Sequence, residues 1–256
     1  MSEGDTFSLV SGLKSAPFRR KLVEKQLLAG HMRIDLNDPM AEGNTILFQG
    51  PSRSGKLDVA LNAAEHYLKE DSENHVVVVT YNKRRSEQYQ KSLSTEDAAR
   101  STVFTLGMTA TDTDMFLTPK AGLTYAQNLR NSGKPVLFVL DSLVDYFTTE
   151  TKIFDELNQP FAPYNISNET MENSGNFYSA GKMTSIMLYD TNVLNFNYEH
   201  YQKYQLSHLR SISDQITSFD PEELELKKTI PKLEIHSYLE ANNRGWMHPL
   251  VYEIST

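Results

Sequence analysis

Residues 44–56, reading N-T-I-L-F-Q-G-P-S-R-S-G-K, constrain the fold more than any other stretch of the chain. Positions 45–48 are apolar or β-branched, which suits a short strand buried in a sheet. Gly50, four intervening residues and then Gly55-Lys56 give the G-x-x-x-x-G-K spacing of a phosphate-binding loop. Such a loop turns a strand into a helix, aims backbone N–H groups at a phosphate chain and lets the lysine reach the outer phosphates. Gly50, Ser54, Gly55 and Lys56 are therefore candidate nucleotide contacts, and Arg53 inside the loop adds a second positive charge. The position after the lysine departs from the pattern. A Ser or Thr there supplies the hydroxyl that holds Mg²⁺, whereas Leu57 offers a hydrocarbon, which cannot ligate a hard cation. The spacing predicts a phosphate cradle for a nucleotide such as ATP or ADP, with the usual Mg²⁺ ligand missing, either as a working site or as the retained shell of one.

Alternation around this loop sets the fold class. Residues 58–69 carry apolar side chains at a helical spacing (Val59, Ala60, Ala63, Ala64, Tyr67), and 75–81 contain the unbroken β-branched run V-V-V-V-T. Residues 83–93 are polar and helix-compatible, 102–108 are a short apolar run, and 123–131 read as a helix stopped by Ser132-Gly133. Residues 136–140, V-L-F-V-L, then end on Asp141. Strands and helices in this order predict an α/β fold with a mainly parallel central sheet flanked by helices. In phosphate-loop proteins an acid ending such a second strand sits beside the phosphates and organises Mg²⁺ through water, which makes Asp141 a candidate site residue. The plainer reading is a carboxylate at a strand end.

The flanks are less regular. Residues 14–28 predict a helical N-terminal arm, so the domain boundary falls near residue 26, and 30–43 predict a loop-rich approach with a turn at Asn37-Asp38-Pro39. Residues 158–181, rich in Asn, Pro and Gly, predict a long loop insertion. Further strands are expected at 183–188, 212–219 and 232–239. The tyrosine-rich segment 195–209 is expected to be a half-buried helix, or else a partner-binding face. His200 and His208 stand two helical turns apart, too far for one metal, and Lys83, Arg84 and Arg85 read as a solvated helix start.

Composition excludes several classes. The net charge of −8 argues against nucleic acid as a partner, which calls for a basic face. The absence of cysteine removes disulfides, thiolate zinc sites and thiol catalysis. No apolar run is long enough to span a membrane, and the acidic start M-S-E-G-D lacks a signal-peptide core. Residues 10–29 are basic and amphipathic, a pattern that favours a surface helix but also matches an organellar targeting segment. Asn165-Ile-Ser and Asn168-Glu-Thr match glycosylation acceptors, read as chance without a secretory route.

Several stretches together resemble one family. Leu28-Ala-Gly-His-Met-Arg-Ile-Asp before the loop, Thr109-Ala-Thr-Asp-Thr-Asp, Leu117-Thr-Pro, Gly122 and Tyr125-Ala follow one another in its order. So do Gly133-Lys-Pro-Val-Leu-Phe-Val-Leu-Asp-Ser-Leu, Ala180-Gly-Lys-Met-Thr-Ser-Ile and Ser211-Ile-Ser-Asp-Gln-Ile. This series resembles the nucleotide-binding domain of the rotary ATP synthase α/β subunits, in a wider group with Rho-type and flagellar export ATPases. It is most similar to the non-catalytic α subunit. The resemblance covers roughly residues 26–240 and implies a RecA-like P-loop fold for residues 27–256. The family's N-terminal barrel and C-terminal helical domain are not expected in what remains.

The departures from the family pattern set the functional expectation. Besides Leu57, Asn82 stands after the V-V-V-V-T strand about where catalytic members carry a water-orienting glutamate, and Asn cannot act as a general base. The stretch 233–240 lacks the arginine that an α subunit lends its neighbour, Arg244 being a poor substitute, and Asp145 stands where many relatives carry an arginine. The resemblance thus implies a catalytically inactive α-like domain. Its expected role is that of an accessory subunit among other protein subunits of a larger complex, placed in mitochondria, or otherwise in the cytoplasm. The alternatives are an ATPase completed by a partner subunit and an assembly factor that mimics α.

Overall fold

The computed structural model describes residues 21–107, 109–158, 165–177, 181–192 and 199–219. Two short strands, β1 (Gln26–Leu27) and β2 (Met40–Ala41), pair antiparallel and bracket helix α1 (Met32–Asn37). The expected helical arm therefore gives way to extended chain at its described end. Leu27 is fully buried in the core, so pairing and burial override the helical pattern there. The expected loop at 30–43 likewise holds α1 and β2, and 1–20 lie outside the described residues.

Next come β3 (Thr45–Gly50), α2 (Lys56–Glu70), β4 (His75–Thr80), α3 (Lys83–Ser92), α4 (Thr95–Ala99), β5 (Ser101–Thr105), α5 (Asp112–Asn131), β6 (Val136–Asp141) and α6 (Leu143–Glu156). The series closes with α7 (Ile166–Asn173), β7 (Gly175–Asn176), β8 (Lys182–Asp190), α8 (Glu199–Ile212) and β9 (Gln215–Ser218). Six strands run parallel in the order β5-β4-β6-β8-β3-β9, and β7 adds an antiparallel pair at the start of β8.

The sheet explains the unbroken valine run. Val76 and Val78 join one core cluster with Ile46, Phe48, Leu137 and Val139, under Ala60, Ala63 and Tyr67 of α2. Val77 and Val79 join the cluster on the other face with Leu47, Phe138 and Leu140, under Leu123 and Ala126 of α5 and Val144 and Phe147 of α6. All four valines are fully buried. A strand covered on both faces has no reason to alternate with polar residues.

Helix α5 starts well before its expected first turn near residue 123. A capping box sets its N-terminus: the Thr111 hydroxyl accepts from the Asp114 N–H, and the Asp114 carboxylate accepts from the Thr111 N–H at 2.8 Å. Pro119 lies inside this helix and has no N–H for the Met115 carbonyl one turn back. The Tyr81 hydroxyl donates to that carbonyl instead, at 2.8 Å.

The 158–181 insertion is not the continuous loop its composition predicts. Asn165 accepts from the Ser167 N–H to begin α7, which buries Ile166, Ser167, Thr170 and Asn173. Such short helices are held by tertiary burial more than by propensity, so composition alone missed it. The expected half-buried helix at 195–209 is present as α8. It buries Gln205 and Leu209 and leaves Tyr204 60% exposed. The strand expected at 232–239 and Arg244 lie outside the described residues. No helix among the described residues is long and apolar enough to cross a membrane.

Candidate functional site

In a parallel sheet ligand clefts form beyond the carboxyl ends of the strands, and β3, β4, β6 and β8 end here around a cleft of about 750 Å³. The loop after β3 makes one wall. A Cβ on Gly50 would lie 2.6 Å from the Phe219 carbonyl oxygen, so only glycine fits at this crossing. Gly55, the residue that opens α2, has φ +89°, a left-handed conformation open to glycine. Arg53 takes φ 65°, uncommon for a non-glycine residue, and its exposed side chain lines the cleft with Ser54, Gly55, Lys56 and Leu57.

Lys56 is 4% exposed. Its ammonium donates to the Gly50 carbonyl at 3.0 Å, the Pro51 carbonyl at 2.6 Å and the Ser54 Oγ at 3.2 Å. It also pairs with Asp190 Oδ1 at 2.7 Å. Register explains the pair, because Gly50 and Asp190 face each other across β3 and β8. The lysine expected to meet phosphate is thus folded back onto its own loop and onto a carboxylate.

A second register pair builds the floor. Thr80 faces Asp141 across β4 and β6, and its hydroxyl donates to Asp141 Oδ2 at 2.7 Å while accepting from the Asn82 N–H at 3.0 Å. Burial pushes the Asp141 carboxyl up to about 6, and the charges of Asp190 and Asp145 add to the rise. The Thr80 hydrogen bond and Lys56 act against it. Asn82 is the N-cap of α3, and its side-chain oxygen accepts from the Arg85 N–H at 3.1 Å.

The opposite wall is basic. Lys83, Arg84 and Arg85 are exposed at the start of α3, as expected, but they also line the cleft across from the phosphate-type loop. Arg85 pairs with Asp58 at 3.2 Å. Among the described residues Arg53 and Arg84 have no ion-pair partner. The structure therefore brings Arg53, Ser54, Gly55, Lys56, Leu57 and Asp141 into one cleft, with Gly50 beneath. It adds Thr80, Tyr81 and Asp190, and it turns the α3 cations, expected only as a solvated helix start, into cleft-lining groups. One signal for Asp190 was present: M-L-Y-D ends β8 on an aspartate, as V-L-F-V-L-D ends β6.

Two other sequence candidates take structural roles. His208 stacks on Tyr204 with ring centroids 6.4 Å apart and bonds Asn168. In Ser211-Ile-Ser-Asp-Gln-Ile, Asp214 accepts from the Thr45 N–H at 2.8 Å and Gln215 accepts from the Ala41 N–H at 2.8 Å. That segment pins β9 to the start of β3.

Comparison with known proteins identifies the family of this domain. The profile of the ATP synthase alpha/beta family, nucleotide-binding domain, matches residues 30–187, from before α1 into β8. The chain belongs to the ATP synthase alpha/beta family. Its parallel sheet and flanking helices are those of an ATP synthase alpha-like nucleotide-binding domain. ATP synthase subunit alpha of Mycoplasma genitalium is 30% identical over 136 residues, covering 51% of this chain and 26% of that protein. ATP synthase subunit alpha 1 of Listeria welshimeri is 28% identical over 141 residues, covering 54% of this chain and 28% of that one. ATP synthase subunit alpha 2 of Mycoplasmopsis pulmonis is 23% identical over 145 residues, or 57% and 28% of the two chains. The match thus spans little more than a quarter of each of these relatives.

Proposed function

We propose that the chain is a non-hydrolysing, ATP synthase alpha-like subunit that holds ATP or ADP as a structural ligand within a larger protein assembly. The observation that carries this reading is Asn82. It stands at the end of β4, where catalytic members of the family place a water-orienting glutamate, and its side-chain oxygen is spent on capping α3. An amide engaged in this way offers no base to an attacking water. Leu57 and the Lys56–Asp190 pair point the same way, since each removes or occupies a group that would stabilise charge in phosphoryl transfer. Losing one such group typically costs about 2–4 kcal/mol of transition-state stabilisation, so the losses together leave no useful rate.

The accessory role is carried over from the relatives, which are named as subunits. The basic 10–29 stretch is the sequence feature behind a mitochondrial location, and a reporter fused to it would check that by microscopy. The direct test is phosphate release from ATP by the purified chain, alone and with the partners that co-purify with it. The expected result is ATP binding without turnover, in a stable complex with other subunits. Turnover that disappears in Lys56→Ala overturns the proposal. Transient association with free subunits only would instead favour an assembly factor.

A further inference from the structure

Mg²⁺ accompanies the nucleotide in most phosphate-loop proteins, and the residues of this cleft do not fit it. The position that supplies the hydroxyl is Leu57, whose side chain packs against the core cluster under α2. Three of the four carboxylates lining the cleft are already engaged: Asp141 by the Thr80 hydroxyl, Asp190 by Lys56 and Asp58 by Arg85. Asp145, the fourth, lies beside the Ser142 side chain, and a hard cation held by one carboxylate gains little over water.

The same cleft is rich in fixed cations. Arg53, Lys56, Lys83, Arg84 and Arg85 line it, five against four carboxylates, in a chain whose net charge is −8. Arg53 and Arg84 stand exposed on opposing elements, the phosphate-type loop and the start of α3, without an acidic partner among the described residues. Guanidinium groups bind phosphate oxygens through paired N–H donors and stay charged at every working pH. Resting on the nucleotide reading above, we propose that the cleft takes a nucleoside di- or triphosphate without a divalent cation, its outer phosphates neutralised by Arg53, Arg84 and their neighbours Lys83 and Arg85.

The test is a calorimetric titration of the whole chain with ATP, once in excess EDTA and once in excess Mg²⁺. The expected dissociation constants agree within about threefold. In EDTA, Arg53→Gln combined with Arg84→Gln weakens binding by roughly tenfold or more, since two charge-assisted contacts are lost. Both residues are exposed, so the fold tolerates the change, and a matching thermal melt checks that. Leu57→Thr, which restores the hydroxyl, makes Mg²⁺ tighten binding. Binding at least tenfold tighter with Mg²⁺ in the unaltered chain overturns the inference and leaves the nucleotide reading standing. So does a double variant that binds ATP in EDTA as tightly as the parent. No ATP binding in either buffer overturns the nucleotide reading itself.

Discussion

Replacing Glu150 by Gln should make the protein less sensitive to rising pH, by an amount the structure sets. Glu150 lies on α6 and is 3% exposed. Its carboxylate accepts from the Tyr146 hydroxyl at 3.0 Å and from the Tyr201 hydroxyl of α8 at 3.4 Å, so it ties α8 to α6. Burial pushes its carboxyl up from 4.5 to about 7, against the pull of the Tyr146 hydrogen bond, Lys120 and the Tyr201 hydrogen bond. Where an acid has a raised folded value, the unfolded chain loses the proton first. Stability therefore falls as pH climbs between about 4.5 and 7 and levels off above. A gap of about 2.5 pH units corresponds to roughly 3 kcal/mol. Gln does not ionise, but its one oxygen accepts from only one of the two tyrosine hydroxyls, and its NH₂ meets the other as a donor. Guanidinium unfolding of the two proteins at pH 5 and pH 8 measures the difference, and any pH-independent cost of the amide cancels because only the change between the two values is read. The Gln variant should gain roughly 2–3 kcal/mol on the parent over that range, since part of the parent's loss has already occurred at pH 5. A constant difference, or a gain by the parent at pH 8, would refute the reasoning.

Two further outcomes test the site and its wall. Asp190→Asn removes the carboxylate that competes for Lys56, so ATP binding should tighten by roughly tenfold, while the three remaining acceptors of Lys56 limit the loss of fold stability to about 1–2 kcal/mol. Unchanged or weaker binding by calorimetry would contradict the view that the lysine is held back. Tyr81→Phe leaves the Met115 carbonyl beside Pro119 without its donor and should cost about 1–2 kcal/mol in a thermal melt. A melt matching that of the parent would show that the carbonyl finds another donor.

The sequence by itself determined what depends on neighbours along the chain. Gly55, left-handed at the start of α2, marks the turn, and the apolar runs at β3, β4, β6 and β8, bounded by turn residues, read as buried strands, whereas the Cβ excluded at Gly50 would meet Phe219 across the sheet. Leu57 was legible as a departure for the same reason, since a missing hydroxyl is visible in one residue, and Asn82 through the family resemblance. Contacts made across the sheet were not legible. Lys56 meets Asp190, and Thr80 meets Asp141, because parallel register sets them side by side, and register is fixed by which sheet faces are buried, a tertiary outcome. Helix α7 forms inside an asparagine-rich insertion because the core buries Ile166 and Thr170, and α5 runs through Pro119 because Tyr81 reaches its orphaned carbonyl. Lys83, Arg84 and Arg85 read as a solvated helix start in one dimension and became a cleft wall once the sheet set β4 near β3, with only β6 and β8 between them. Local chemistry wrote the phosphate-type loop into the chain; only the packed sheet decided which charges it faces.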